Sequence, residues 1–340
     1  MVIRFECHGC GKGLKTDDQQ AGKSVQCPAC GQALVIPSSS PAAAEPSFDE
    51  QTAEAPQPAS SGQAAIGVPC RFQFTGTGGG LLSETFIGLI LTIVTFGLYS
   101  PWFICRMTRW NSRHTNLNDR QGNTVTFSFS GTGGQLFVDL IIGYLLTIIT
   151  LGIYGFWFYV NMFKFFVENS DAKTPDGRPV KVTFTGTGGQ LFGEAFVGLF
   201  LTIVTVGIYS PWFICKIIGF FYNNTVISVD GSKAVTLRFT GTGGELFVTF
   251  IVGYILTIIT LGIYQFWFQV KIMKFTYGNT EVSTQNGSRF RVNFNGTGGE
   301  LFGINLVGII LSTVTLGIYS FWFAVNLTKF QTDHLEVVDA

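Results

Sequence analysis

The sequence predicts an α-helical membrane protein built of five 55-residue repeats, each a kinked or broken apolar helix plus a short β-hairpin, behind an N-terminal zinc ribbon. The motif Phe-x-Gly-Thr-Gly-Gly recurs every 55 residues, beginning at Phe74, Phe129, Phe184, Phe239 and Phe294. A fixed period of this size indicates a repeat architecture. Each copy is followed by a long apolar run, and the 340 residues are 46% hydrophobic but only 12% charged. Such runs are typical of segments that contact lipid.

The composition also limits the function classes. The formal net charge is zero, so the chain lacks the basic surplus by which proteins bind nucleic acid, and we regard nucleic acid as an unlikely partner. Only three histidines are present, His8, His114 and His334, and none of them stands in a nucleophile or metal motif. We therefore predict no catalytic residues and no enzymatic activity.

Four cysteines near the N-terminus predict a structural zinc site in residues 1–36. Cys7 and Cys10 form one Cys-x2-Cys pair, and Cys27 and Cys30 form a second. This spacing matches four-cysteine zinc modules, in which two tight turns supply the corners of a tetrahedron. Four thiolate ligands leave no open position, so the predicted Zn²⁺ is structural and would supply the folding energy of this small module.

The remaining domain boundaries follow from composition. Residues 37–67 are rich in Ser, Pro, Ala, Gln and Glu, which predicts a disordered linker because such a segment cannot bury a core. The five-repeat membrane domain is predicted over 68–335, with repeats starting near 71, 126, 181, 236 and 291, and residues 336–340 form a tail.

The fourth repeat illustrates the predicted elements. The segment 236–239 alternates and reads as a strand, and the apolar run 246–268 has 23 residues, enough for one membrane span of roughly 20. Gly262 inside the run, and Ser-Pro at the same place in the first and third repeats, divide it into a main helix and a shorter second helix. We expect the second helix to lie at the membrane interface. Asn286-Gly287 predicts a hairpin turn before the next repeat.

Small residues recur on one face of the main helix. A stripe of this kind lets membrane helices approach closely, and a polar pathway lined by hydroxyl groups is the alternative interpretation. We favour helix packing for this face, which contains Gly88, Thr92, Gly143, Thr147, Gly198, Thr202, Gly253, Thr257, Gly308 and Ser312.

Three acidic residues occupy one repeat position near the start of the main helix, namely Glu84, Asp139 and Glu194. An ionisable group inside a span is a candidate functional residue. A carboxylate in the first turns of a helix is also favoured by the helix dipole. The fourth and fifth repeats have Thr249 and Ile304 there, which favours the dipole interpretation. The Gly-Thr-Gly-Gly segment could bind a phosphate, but it lacks the lysine of a phosphate-binding loop, and we expect a structural turn.

The order of similarity among repeats leaves two topologies open. The first and third repeats share Tyr-Ser-Pro-Trp-Phe-Ile-Cys, whereas the second and fourth share a different apolar string. This alternation favours five spans of opposite sense. In the other topology each repeat is a two-helix re-entrant hairpin and all inter-repeat loops share one face. Lys and Arg occur in every inter-repeat loop, so the positive-inside rule does not decide between them.

The repeated strings resemble one known family. Phe-x-Gly-Thr-Gly-Gly-x-Leu-Phe, then Leu-Thr-Ile-x-Thr-Leu-Gly-Ile-Tyr-x-Phe-Trp, then Lys-Phe and Asn-Thr are similar to the YjgN-type family of bacterial inner-membrane proteins of unknown function, over 71–330. The resemblance implies a multi-pass protein of the bacterial inner membrane and no particular activity. The chain departs from the family pattern by having a Phe after each Trp, where the family tends to have Ala. The cysteine pattern places the N-terminus in the cytoplasm.

Two functions remain open. The first is a membrane-embedded scaffold or sensor whose tethered zinc ribbon binds a cytoplasmic protein partner. The alternative is a repeat-built transporter or channel for a small solute, which the internal symmetry and the acidic positions motivate. In both cases the lipid bilayer is a partner, and an oligomer is compatible with the sequence.

Overall fold

The computed structural model describes residues 2–6, 13–17, 23–28, 33–35 and 69–340. The chain divides into two compact units, residues 1–62 and 63–340. The described part of the first unit consists of two antiparallel strand pairs. These strands are β1 (Val2–Glu6), β2 (Gly13–Asp17), β3 (Ser24–Gln26) and β4 (Ala33–Val35).

Residues 69–340 contain ten strands and ten helices, and each repeat contributes strand, helix, helix and strand in that order. The strands are β5 (Cys70–Phe74), β6 (Thr115–Asn118), β7 (Thr124–Phe129), β8 (Ser170–Lys173), β9 (Pro179–Phe184), β10 (Thr225–Val229), β11 (Ser232–Phe239), β12 (Thr280–Thr284), β13 (Arg289–Phe294) and β14 (Leu335–Asp339). The helices are α1 (Gly78–Val94), α2 (Ser100–His114), α3 (Gly133–Ile149), α4 (Gly155–Glu168), α5 (Gly188–Val204), α6 (Ser210–Asn223), α7 (Gly243–Ile259), α8 (Gln265–Gly278), α9 (Gly298–Val314) and α10 (Ser320–Asp333).

The ten strands β5–β14 form one antiparallel sheet that closes on itself. The closing pair is β14 with β5, in which Glu336 lies opposite Arg71 and Val337 opposite Cys70. Every strand is joined to a helix at one end and to a hairpin turn or a chain connection at the other. All hairpin turns between strands therefore lie at one end of the closed sheet, and all ten helices lie at the opposite end.

Each repeat forms a helical hairpin, and the sequence explains both of its helices. The threonine of the Gly-Thr-Gly-Gly motif caps the first helix; Thr187, for example, accepts a hydrogen bond from the backbone N–H of Gln190. This helix has 17 residues in every repeat. A second threonine joins the two helices, as Thr205 Oγ1 donates to Leu201 O at 2.7 Å and accepts from Tyr209 N at 3.0 Å. The Ser-Pro pairs open α2 and α6, as predicted.

The core of this unit lies at the junctions between repeats. The motif phenylalanine at each strand end is buried. In the second to fifth repeats it packs against both helices of its own repeat and the second helix of the preceding repeat. In one such cluster Phe294 packs with Val270, Leu301 and Phe330. Because each cluster draws residues from two adjacent repeats, no repeat can complete its core alone.

The predicted fold class is wrong in its architecture. Strands from all five repeats pair across the repeat boundaries into one closed sheet, whereas the prediction had short separate hairpins beside an α-helical body. The physical reason is that an isolated two-stranded hairpin is marginal in water and leaves unpaired edges, and closure removes both problems. The prediction of five alternating spans is also wrong, because the two helices of each repeat leave the sheet and return to it at the same end. Among the described residues, no helix combines the length and the apolar character needed to cross a membrane.

Candidate functional site

The helical hairpins expose a large apolar surface. On α5 the exposed fractions are 60% for Phe200, 75% for Ile203 and 61% for Val204. Equivalent apolar residues are exposed on the first helix of each of the other four repeats. Isolated exposed apolar residues are ordinary on a protein surface, but a contiguous apolar surface marks a contact with a partner or a membrane.

The tip of each hairpin carries the most exposed of these side chains. One apolar residue follows the first helix of every repeat, with φ between 49° and 51° and an exposed fraction of 92–97%. A left-handed backbone costs an ordinary L-residue roughly 1–2 kcal/mol, and it is unusual for a β-branched residue such as valine. The five tip residues are Phe96, Leu151, Val206, Leu261 and Leu316.

Aromatic pairs lie beside the tips and join neighbouring repeats. Tyr264 and Trp267 stack with ring centroids 6.2 Å apart, and the other repeats have the same pair. Each tryptophan also covers the first glycine of the next repeat's helix. The same contact closes the ring, because a Cβ built on Gly78 would lie 2.4 Å from Trp322 of the last repeat.

The predicted small-residue face lies against the second helix of the same hairpin. A Cβ on Gly198 would lie 2.0 Å from the ring of Phe213, and the equivalent glycines face Phe103, Phe158, Phe268 and Phe323. The threonine four residues later donates to the glycine carbonyl, as in Thr202 Oγ1 to Gly198 O at 2.7 Å. Thr92, Thr147 and Thr257 do the same. In the fifth repeat the buried Oγ of Ser312 has no hydrogen-bond partner within the described chain.

The three predicted acidic residues lie on three different hairpins. Glu84 pairs with Arg106 at 2.7 Å and Glu194 with Lys216 at 3.5 Å, whereas Asp139 is exposed. Both pairs join the two helices of one hairpin and are partly exposed, so each contributes only modestly to stability. Within the described residues, no three His, Cys, Asp or Glu side chains come together to hold a metal ion.

The predicted zinc ligands fall mostly outside the described residues. Cys27 is described and is buried, whereas Cys7, Cys10 and Cys30 lie outside the described part. In the sequence, the first cysteine pair stands in the connection between β1 and β2, and the second in the connection between β3 and β4. Zinc binding stays a prediction, and so does the linker character of 37–67, which also lies outside the described residues.

The Gly-Thr-Gly-Gly segment is a strand-to-helix turn. In the first repeat Arg109 supports the turn of the next repeat, since its Nε donates to Phe129 O at 3.2 Å and its Nη2 to Gly131 O at 3.0 Å. Sequence reasoning missed this contact. The available signal was the cation that stands 35 residues after the motif phenylalanine in four of five repeats, at Arg109, Lys164, Lys274 and Lys329.

Comparison with known proteins gives a family and partial relatives. The family model described as "Bacterial protein of unknown function (DUF898)" matches residues 69–121, 124–173, 179–233, 234–288 and 289–340. The chain is 39% identical over 95 residues to "Inner membrane protein YjgN" of Salmonella typhimurium, over 28% of this chain and 23% of that protein. It is 45% identical over 64 residues to the protein of that name from Escherichia coli K12, over 19% of this chain and 15% of that protein. The chain thus aligns with less than a quarter of these relatives' lengths. No solved structure matches it.

Proposed function

The chain belongs to the DUF898 family of bacterial proteins, and from this premise we propose that it is an inner-membrane anchor and scaffold. In this proposal the tips and apolar flanks of the five helical hairpins enter the bilayer from one side. The closed sheet stays at the membrane surface, and the tethered zinc ribbon presents a binding surface to a cytoplasmic protein. The five matched segments confirm the predicted five-repeat organisation, and relatives named as inner membrane proteins support the location.

The tip residues carry this proposal. Each tip residue has two free-energy costs in water. Its apolar side chain is 92–97% exposed to solvent, and its backbone has a strained left-handed conformation. Burial of such a side chain in an apolar phase is worth roughly 1.5–3 kcal/mol, which exceeds the strain of ~1–2 kcal/mol. Lipid contact therefore accounts for a feature that a tip bathed in water would not favour.

The dimensions limit how deep the tips reach. A helix of 17 residues is about 25 Å long at 1.5 Å per residue, and the hydrocarbon core is about 30 Å thick. The tips would thus end inside the bilayer.

The transporter alternative has weaker support. The acidic residues that motivated it lie on separate hairpins, and Glu84 and Glu194 are paired with basic residues. The threonine hydroxyls that could line a pathway donate to carbonyl groups of their own helices. We therefore keep the anchor as the proposed function.

Depth-dependent quenching tests the proposal. A cysteine at the tip position Leu261 would carry an environment-sensitive fluorophore, and a matched cysteine at Gln285, in the turn between β12 and β13, would be the control. After reconstitution into vesicles with doxyl-labelled lipids, we expect strong quenching at 261 and little at 285. Equal, weak quenching at both positions would refute insertion of the tips. Deletion of residues 1–36 should leave the quenching at 261 unchanged, because in this proposal the zinc ribbon binds a protein partner and takes no part in membrane insertion.

A further inference from the structure

A groove at the junction of the third and fourth repeats differs from the other junctions. It is open on one side and has a volume of about 680 Å³. Helices α5 and α6 form its walls, and the strand-to-helix turn of the fourth repeat forms its floor. We name it the Gly219 groove, and the residues that define it are Glu194, Lys216, Gly219, Asn223, Phe239 and Gly241.

The third repeat lacks the cation that the other four repeats carry. Position 219 is glycine, whereas the equivalent residues are Arg109, Lys164, Lys274 and Lys329. In the first repeat the Arg109 guanidinium fills this space and donates to Phe129 O and Gly131 O. The equivalent oxygens in the groove belong to Phe239 and Gly241, 110 residues later. The repeat itself thus shows which chemical group this space accepts.

Both carbonyl groups are available in the groove. Phe239 N–H donates to Asn223 Oδ1 of α6 at 2.9 Å. The N–H and C=O of one strand residue point to the same side, so Phe239 O also faces α6. Within residues 69–340, no turn or side-chain hydrogen bond ends on Gly241 O.

The glycine leaves room for a side chain or a ligand. A Cβ on Gly219 would have its nearest neighbours at 3.6 Å, on Asn223, and at 3.9 Å, on Phe239. These are ordinary van der Waals distances, so no steric need for glycine exists at this position. The missing side chain is what opens the groove.

We propose that the Gly219 groove binds the guanidinium group of a small molecule in the place that Arg109 fills in the first repeat. A planar guanidinium has several N–H donors in a fixed fork, which suits two carbonyl oxygens two residues apart. The ring of Trp212 also lines the groove, and aromatic faces attract such cations. Lys216 is the groove's own cation, and its charge is offset by Glu194 at 3.5 Å. The inference does not depend on membrane insertion.

Equilibrium dialysis of the full-length protein with radiolabelled methylguanidinium tests the proposal. We expect one bound probe per chain for the natural protein, none for Gly219→Arg, and two for Arg109→Gly, which opens the equivalent space in the first repeat. Gly219→Ala should still bind one, because a methyl group does not fill the space. Tetramethylammonium, which has no N–H donor, should not compete.

Two results would overturn the proposal. The first is the absence of saturable methylguanidinium binding to the natural protein. The second is unchanged binding by Gly219→Arg. If Gly219→Arg does not fold, Gly219→Lys replaces it, because lysine stands at this position in three other repeats. Failure of both variants to fold would show that the space is not available to a cation, which also contradicts the inference.

Discussion

Closure of the ring between the first and last repeats can be tested at one glycine. Gly78 opens α1, and a Cβ at this position would lie 2.4 Å from Trp322 in α10. Gly79, the next residue, has no atom within 4 Å of such a Cβ. Gly78→Ala and Gly79→Ala therefore make the same chemical change in the same helical turn, and only the first one meets the closing contact.

We expect Gly78→Ala to lower the free energy of unfolding and Gly79→Ala to raise it. Overpacking by one methyl group costs roughly 1–3 kcal/mol, whereas alanine in place of helical glycine contributes about 0.5–1 kcal/mol of stability. For Gly78→Ala the difference is a loss of about 0–2.5 kcal/mol in the free energy of unfolding. For Gly79→Ala the helix contribution stands alone, so the free energy of unfolding should rise by about 0.5–1 kcal/mol.

Chemical unfolding of both variants in detergent, followed by circular dichroism, measures the two free energies. A double-mutant cycle of Gly78→Ala with Trp322→Ala then isolates the contact, and residues in contact show coupling of roughly 0.5–3 kcal/mol. If Gly78→Ala stabilises the protein as much as Gly79→Ala and shows no coupling to Trp322, the first and last repeats are not in contact and the ring is open.

Three further predictions concern single groups. Ser312→Ala removes a buried hydroxyl that has no partner and should raise the free energy of unfolding by about 1 kcal/mol, whereas a fall would show that the hydroxyl is bonded. One Zn²⁺ per chain should be released by a chelator, and Cys27→Ser should abolish this release; a purified chain without zinc would contradict the ribbon. Val337→Cys, opposite Cys70, should form a disulfide that closes the ring and changes migration on non-reducing gels. Burial, and secondarily the Asp119 carboxylate, raise the pKa of Cys70 to about 11, so its thiolate is scarce at neutral pH and oxidation should accelerate as pH rises.

Local sequence signals predicted the elements of one repeat well. The Gly-Thr-Gly-Gly turn, the division of the apolar run near Gly262 and the Asn286-Gly287 turn all lie where the sequence indicated. These features depend on the backbone preferences of a few adjacent residues, and those preferences follow directly from the residue types.

Contacts between repeats could not be predicted in the same way. A repeat period of 55 residues does not predict that β14 pairs with β5, or that Trp322 packs against Gly78. The alternating similarity of the repeats favours spans of alternating direction, whereas each helical hairpin in the structure returns to the sheet. The absence of a cation at Gly219 is visible in the sequence, but it acquires a meaning only from the contacts of Arg109.

The side of the membrane on which the hairpin turns lie tests the central claim most directly. Single cysteines at exposed turn positions would be labelled with a membrane-impermeant maleimide in intact cells and in inverted vesicles, with the four N-terminal cysteines changed to serine. The native cysteines of the body are 2–8% exposed and should contribute little labelling. Uniform labelling from one side at Arg120, Pro175, Asp230 and Gln285 is the result that a closed sheet with five inserted hairpins predicts. Labelling that alternates from turn to turn would contradict it.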